Sequence, residues 1–256
     1  MRILLSYNGD PRPINLPVQN HLRMRLSTLA FLGLSLLGAG CTKPSEEIVA
    51  PGGNSTVQET RKPGSFRMLE LRTGSELTVK RDETYYVRVS GPSDAVAALH
   101  TRIDGDQLML EYDASYTAPV TDKLKLEVHT PFLKSVSLRG NGKATVEAGF
   151  EDSLLGSVFG SGSLRVLGGP FSFLSFIVSG SGSVDAHEAQ CNEANVEVNG
   201  TGSIEVKAST TLTARIEGTG TISYYGSPTV TVNGGGAQGL IQKGQRMSIL
   251  TEVAAQ

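Results

Sequence analysis

From Phe66 onward, apolar residues recur at every second position. Leu69 and Leu71, then Leu77 and Val79, then Tyr85, Val87 and Val89 each fall on one face of an extended chain. That two-residue period predicts strands. Thr73-Gly74-Ser75 reads as a turn. Ser93 to Leu99, SDAVAAL, reads as one short helix capped by Ser93 or Asp94. Asp104-Gly105 is a turn signal, and Leu108, Leu110 and Tyr112 alternate after it. Leu124, Leu126 and Val128 repeat the pattern until Pro131 stops it. The segment 66–133 is therefore expected to be β-rich with one short helix.

A second pattern is laid over the first from residue 134. Glycine pairs occur at Gly140/Gly142, Gly160/Gly162, Gly180/Gly182, Gly200/Gly202 and Gly218/Gly220. The first four pairs are 20 residues apart and the last step is 18. Two places before each pair stand Leu138, Val158, Val178, Val198 and Ile216. Four places before stand Val136, Gly156, Phe176, Val196 and Ala214. Four places after the first glycine stand Ala144, Leu164, Val184, Ile204 and Ile222, and six after stand Val146, Val166, Ala186, Val206 and Tyr224. Polar residues such as Arg139, Glu197, Asn199, Glu205 and Glu217 lie between these columns.

Each repeat is thus strand, Gly-x-Gly, strand, with one face apolar. One unit cannot bury that face alone, but stacked copies can. The expected fold is all-β: a parallel β-helix or related solenoid of about twenty-residue repeats. The alternative is an antiparallel sandwich of hairpins with glycine turns. The ten paired glycines are read as structural turns, because glycine takes positive φ without a Cβ clash. Asn141, Ser161, Ser181, Thr201 and Thr219 would form a polar ladder along one edge.

The chain before Phe66 has another character. Residues 26–40, LSTLAFLGLSLLGAG, are apolar and end in small residues, with Arg23 and Arg25 just upstream. The run is shorter than the roughly 20 apolar residues of a transmembrane helix and fits a secretory signal. Ala39-Gly40-Cys41 resembles a bacterial lipobox, although Gly38 stands where Leu is usual. Cys41 is read as a lipidation site; a plain secretory signal is the alternative. Met24 is the better start for such a signal. The expected division is 1–23 a mis-assigned start, 24–40 the signal and 41–65 a Pro-, Gly- and Ser-rich tether. A β domain then spans 66–245, in parts 66–133 and 134–245, with a tail at 246–256. Lys43 with Glu46-Glu47 loosely resembles a surface-sorting signal, and a soluble spacer is the simpler reading.

The repeated VSGSGSV, VNGTGSI and IEGTGTI, closing with YYGSPTV, resemble the bacterial family called "putative auto-transporter adhesin, head GIN domain". The segment AVAALHTRIDGDQLML extends the resemblance into the N-terminal half, so that it covers about Phe66 to Lys243. It implies an all-β, solenoid-like fold in an exported envelope protein. The family's function is named by analogy, so the resemblance says little about a ligand.

Composition narrows the chemistry. The net charge of −2 gives no basic field to hold nucleic acid. No residue is Trp, which thins the usual platform for stacking sugars. Gly234-Gly235-Gly236-Ala237-Gln238-Gly239 matches G-x-G-x-x-G literally, but no acidic residue follows about 20 places later, so it reads as a loop. The glycine turns lack the Asp of calcium-binding repeats. Asp185, His187, Glu188, Cys191 and Glu193 form the one cluster of potential ligands, too few on one rung for a closed metal site. Cys191 reads as a small buried residue, although a disulfide with Cys41 is possible on paper. The outward acids Glu147, Asp185 and Glu205 lie a rung or more apart, with Arg165 between them.

No catalytic, cofactor or metal residue is assigned on these grounds. The expectation is a non-catalytic envelope lipoprotein of the outer membrane, whose module is adhesive or scaffolding. Its partners would be the membrane, through the lipid, and a surface polysaccharide or another envelope protein. The alternative is a carbohydrate-active β-helix enzyme, a lyase or hydrolase, which would need acids converging in a cleft.

Overall fold

The computed structural model describes residues 55–117, 124–147, 151–234 and 237–243. The proposed start, signal, lipidation site and most of the tether, like the tail, lie outside the described residues, but the end of the expected tether is a strand, Thr56–Arg61, paired with the folded part. The chain runs through β1 (Thr56–Arg61), β2 (Met68–Leu71), β3 (Glu76–Arg81) and β4 (Tyr86–Pro92). Helix α1 (Ser93–Ala98), β5 (Leu99–Asp104), β6 (Gln107–Tyr112) and β7 (Lys125–Thr130) follow. The repeat region supplies β8 (Ser135–Gly140), β9 (Lys143–Val146), β10 (Ser153–Gly160) and β11 (Ser163–Val166). Then come β12 (Phe171–Gly180), β13 (Ser183–Gly200), β14 (Ser203–Gly218), β15 (Thr221–Tyr225), β16 (Thr229–Asn233) and β17 (Leu240–Lys243).

The repeats stack as a parallel solenoid, not as hairpins. Strands before the glycine turn form one sheet in the order β6, β2, β8, β10, β12, β13, β14, β16. Strands after it form a second, in the order β7, β3, β9, β11, β13, β14, β15, β17. Strands β13 and β14 are long enough to serve both, ending one rung and running on into the turn of the next. All these pairings are parallel, so each side chain lies on its copy in the next rung. The aligned columns meet between the sheets, where Leu138, Val158, Val178 and Val198 are fully buried. This burial of apolar area, at about 25 cal/mol per Å², is what a single rung cannot achieve.

The stack does not begin at residue 134. Strands β2 and β3 are a rung of the same solenoid, lying between β6/β7 and β8/β9. Beyond β6 and β7 the sheets change direction: β5 pairs antiparallel with β6, β4 with β7, and β1 with β4. That end is closed by the antiparallel strands and by α1, which buries Ala95 and Val96.

The helix lies where the alternation breaks, but its cap differs from expectation. Pro92 occupies the N-cap with φ −55°, and no side chain bonds the first turn. Proline presets an extended entry there, so Ser93 and Asp94 fall inside the helix. The other end is held by Arg61, whose guanidinium donates to the carbonyls of Val96 at 2.8 Å and Leu99 at 2.5 Å. A helix terminus otherwise leaves such carbonyls unpaired.

Candidate functional site

The glycine ladder fixes where the outward side chains of the repeats stand. Gly140, Gly160, Gly180, Gly200 and Gly218 have φ between +116° and +124°. A side chain is strained in that region, so these five are turn glycines in the expected sense.

The other five correct the expectation. Gly142, Gly162, Gly182, Gly202 and Gly220 do not have positive φ, so backbone freedom is not why glycine stands there. Their reason is space, because each packs against the turn of the rung before it. A Cβ on Gly142 would lie 2.5 Å from the Thr73 carbonyl oxygen, and one on Gly162 would lie 2.6 Å from that of Gly142. On Gly182 it would meet the Gly162 carbonyl oxygen and Val158 Cγ1, each at 2.6 Å. On Gly202 it would meet the Gly182 carbonyl oxygen and Val178 Cγ1, each at 2.5 Å. On Gly220 it would lie 2.6 Å from the Gly202 carbonyl oxygen and press on Val198 Cγ1. The rungs are tied through the turn itself: the Gly160 carbonyl accepts from Ser181 N at 3.0 Å and Gly182 N at 2.9 Å. Asn141, Ser161, Ser181, Thr201 and Thr219 all stand exposed, as the ladder pattern predicts.

A cleft of about 480 Å³ opens on the outward face of the second sheet, near the closed end. It is lined by Gln58 of β1, Arg88 and Ser90 of β4, Lys125 and Glu127 of β7, and Glu76 and Thr78 of β3. The register explains the assembly. Gln58 faces Ser90, Ser90 faces Lys125, Arg88 faces Glu127, and Glu76 faces Lys125 on its other side. Glu127 is held between Lys80 Nζ at 2.6 Å and Arg88 Nη1 at 2.5 Å. The Lys80 hydrogen bond, with that of Arg88, holds its carboxyl below the usual range despite partial burial. Beside it His129 is nearly buried, stacks on Tyr86 at 4.1 Å and meets Asp82 Oδ2 through Nδ1 at 3.2 Å. None of this is legible in the sequence, since four strands far apart along the chain contribute one or two side chains each.

The ligand cluster expected from the sequence is only partly brought together. Asp185 and His187 do converge, Nδ1 to Oδ1 at 2.5 Å, and His187 Nε2 lies 3.6 Å from Glu188. Glu188 is taken by Arg165 at 2.6 Å. Cys191 is turned inward and buried, a free thiol donating to the Lys207 carbonyl at 3.3 Å. Glu193 lies away from the cluster, on the first sheet between Phe173 and Thr211. The neighbour that a one-rung reading keeps apart is Glu205, which faces Asp185 in register.

With it, Asp185, His187 and Glu205 place one potential ligand atom each within 4.8 Å of one another. Each carboxylate already has a partner, since Glu205 is bonded by Lys243 Nζ at 2.7 Å. The cause of the convergence is a bulge. Ala186 pairs with Val206 and Gln190 with Lys207, so residues 187–189 stand out from the ladder. Three extra residues here, less one on β14 between Ala208 and Thr211, give the difference of two between the 20- and 18-residue steps. Bulges re-aim side chains in this way.

The loop expected at the Gly-rich stretch is a short 3-10 turn, Ala237–Gly239, leading into β17; Gly235 and Gly236 lie outside the described residues.

Solved structures align with this architecture. A "putative adhesin" from Bacteroides fragilis NCTC 9343 superposes with a TM-score of 0.60 at 19% identity, over 73% of this chain and 96% of that one. A "putative lipid binding protein" from Parabacteroides distasonis ATCC 8503 aligns with a TM-score of 0.45 at 17% identity, over 74% and 95% of the two chains. A "putative adhesin" from the same strain aligns with a TM-score of 0.45 at 15% identity, over 75% and 96%. The likeness to the B. fragilis protein is one of fold. No curated protein sequence matches the chain. The family described as "putative auto-transporter adhesin, head GIN domain" matches residues 65–228, which takes in the glycine ladder and the closed end apart from β1, and the chain belongs to that family.

Proposed function

We propose that this is a non-catalytic binding module of the cell envelope, adhesive or scaffolding, held to a membrane through an acylated Cys41. The observation that carries the reading is the chemistry of the cleft between β1, β4, β7 and β3. It offers an amide, two hydroxyls and opposed charges on a rigid sheet, a lining suited to hydroxyl-rich polymers. Its central carboxylate, Glu127, is kept ionised by two cations. A general acid needs the reverse, a pKa raised toward the working pH. Family membership and the B. fragilis name both speak of adhesion, which agrees with this reading. No helix among the described residues is long and apolar enough to cross a membrane.

The ligand class is a surface polysaccharide or another envelope protein presenting repeated hydroxyls. Affinity for one cleft is modest and rises when many tethered copies engage a repetitive ligand. The test is a binding screen of the purified chain against envelope polysaccharides, with Arg88→Ala and Lys125→Ala as variants. Weak binding lost in these variants, without turnover, supports the module. Cleavage of a polysaccharide that disappears in Asp185→Asn or Glu205→Gln overturns it in favour of a carbohydrate-active enzyme.

A further inference from the structure

The outward face of the first sheet carries large apolar residues in a pattern that the core does not need. On β10 and β12, Leu155, Phe159 and Ile177 are all exposed. Their register neighbours are small: Leu155 pairs with Ser175, Ile177 with Ser157, and Phe159 with Ser179. Each knob therefore stands beside a serine on the neighbouring rung. The two sides of this patch differ in charge. On the β8 side Arg139 holds its guanidinium 5.0 Å over the Phe159 ring and donates to Glu70 Oε1 at 2.8 Å. On the β13 side lie Glu193 and Glu197.

We infer that this face binds the same face of a second copy of the chain. Consider a two-fold axis lying in the face, parallel to the strands and midway between β10 and β12. It exchanges those two strands and keeps position along them. Leu155 of one copy then sits over Ser175 of the other, Phe159 over Ser179, and Ile177 over Ser157. All three knobs meet small residues, twice over. The same operation lays β8 of one copy against β13 of the other, so Ser137 faces Glu197 and Arg139 faces Asn199. An isologous interface must be self-complementary in this way. Shape satisfies the condition with one axis.

The contact is small. Four strands about 4.8 Å apart and about 20 Å long cover less than the roughly 800 Å² per partner of a standard interface. The dimer is therefore weak in solution.

The experiment is sedimentation velocity on the full chain carrying Cys41→Ser, which removes association through an acyl group. A monomer–dimer isotherm is expected over about 10–500 μM. Ile177→Glu and, separately, Leu155→Ser each raise the dissociation constant at least about ten-fold, with unchanged circular dichroism. Ser137→Lys lowers it several-fold at low salt, because it faces Glu197 of the second copy, and Ser137→Glu raises it. A monomer throughout the range, or association indifferent to Ile177→Glu, overturns the inference. So does a monomer that binds phosphatidylglycerol vesicles and loses them with Ile177→Glu, which would make the face a lipid surface.

Discussion

Gly156 lies one rung before Phe176, and a methyl group built on it would come within 2.7 Å of the Phe176 ring and 2.6 Å of Leu164 Cδ2. The apolar column here holds Val136, Gly156 and Phe176 in succession. The phenyl ring uses the space that Gly156 leaves. Gly156→Ala should therefore destabilise by overpacking, about 1–3 kcal/mol. Phe176→Leu in the same chain should recover part of that loss. Urea melts of the two single variants and the double variant measure the coupling, and strict additivity would show that the two do not share the space.

The glycines of the ladder should not be equivalent. A Cβ on Gly180 would lie 2.5 Å from the Gly160 carbonyl oxygen in addition to the strain of φ +122°. Gly140 has φ +116° but nothing within 4 Å of such an atom. Gly140→Ala is expected to cost about 1 kcal/mol from the backbone alone, and Gly180→Ala clearly more, about 2–4 kcal/mol. Ser181→Ala, on the exposed ladder, should stay within about 0.5 kcal/mol of the parent. Thermal melts that rank Ser181→Ala with Gly180→Ala would contradict the turn geometry.

Acid should weaken the fold through its paired carboxylates, Glu70 and Glu127 among them. Burial alone would raise the pKa of Glu70, but hydrogen bonds from Arg72 and Gln107 and the charges of Arg139 and Arg72 bring it below the ordinary 4.5. Glu127 is lowered too, by Lys80 first and Arg88 next. A depressed folded pKa stabilises fully above the unfolded value and loses that contribution as pH falls through the folded one. The melting temperature should be level near neutrality and decline below about pH 4.5. Glu70→Gln should cost about 1–3 kcal/mol at pH 7 and flatten the acid limb. An unchanged slope would remove Glu70 from the account.

Cys191 offers a readout of opening. Burial raises its thiol to about 11. The reactive thiolate is scarce and shielded in the folded protein. Alkylation at pH 8 should be slow in buffer and complete in denaturant. Rapid labelling of the native chain would show that the bulge beside it opens without unfolding.

Anchoring has its own test. With Cys41→Ser in the host, acyl labelling should vanish and the protein should leave the membrane fraction. Fractionation unchanged by the substitution, with no label on the parent, would set the lipobox reading aside.

Much of the solenoid is legible in columns alone: each apolar position aligned on the glycine pairs is buried except Tyr224, which is half-buried in the last repeat. The sequence does not separate the two kinds of glycine within a pair, because positive φ and close packing both select the residue without a side chain. The β2–β3 rung escapes the glycine pattern because its turn reads Thr73-Gly74-Ser75, with glycine in the middle. There the buried Thr73 and Ser75 hydroxyls bond each other at 2.8 Å, and Gly74 accommodates Asn141 from the next rung. The apolar spacing is nevertheless the same, six residues from Leu71 to Leu77 as from Leu138 to Ala144. The Asp185–Glu205 contact is hidden for the opposite reason. Regular alternation places both in one column, but only the bulge at 187–189 turns His187 toward them.

The rung formed by β2 and β3 comes first along the chain, yet both its neighbours are built from strands that come later in sequence. Growth and loss of the molecule over evolution should therefore be lopsided. Toward β16 and β17, chain order and spatial order coincide, so gaining or losing a twenty-residue segment between Gly160 and Gly200 adds or removes a slice and rejoins matching ends. Toward β6 and β7, any such change would sever the crossing that brings β8 back over β2. Length should vary within this family on one side of the molecule only, and a relative with more or fewer glycine pairs should keep the β1–β7 region whole.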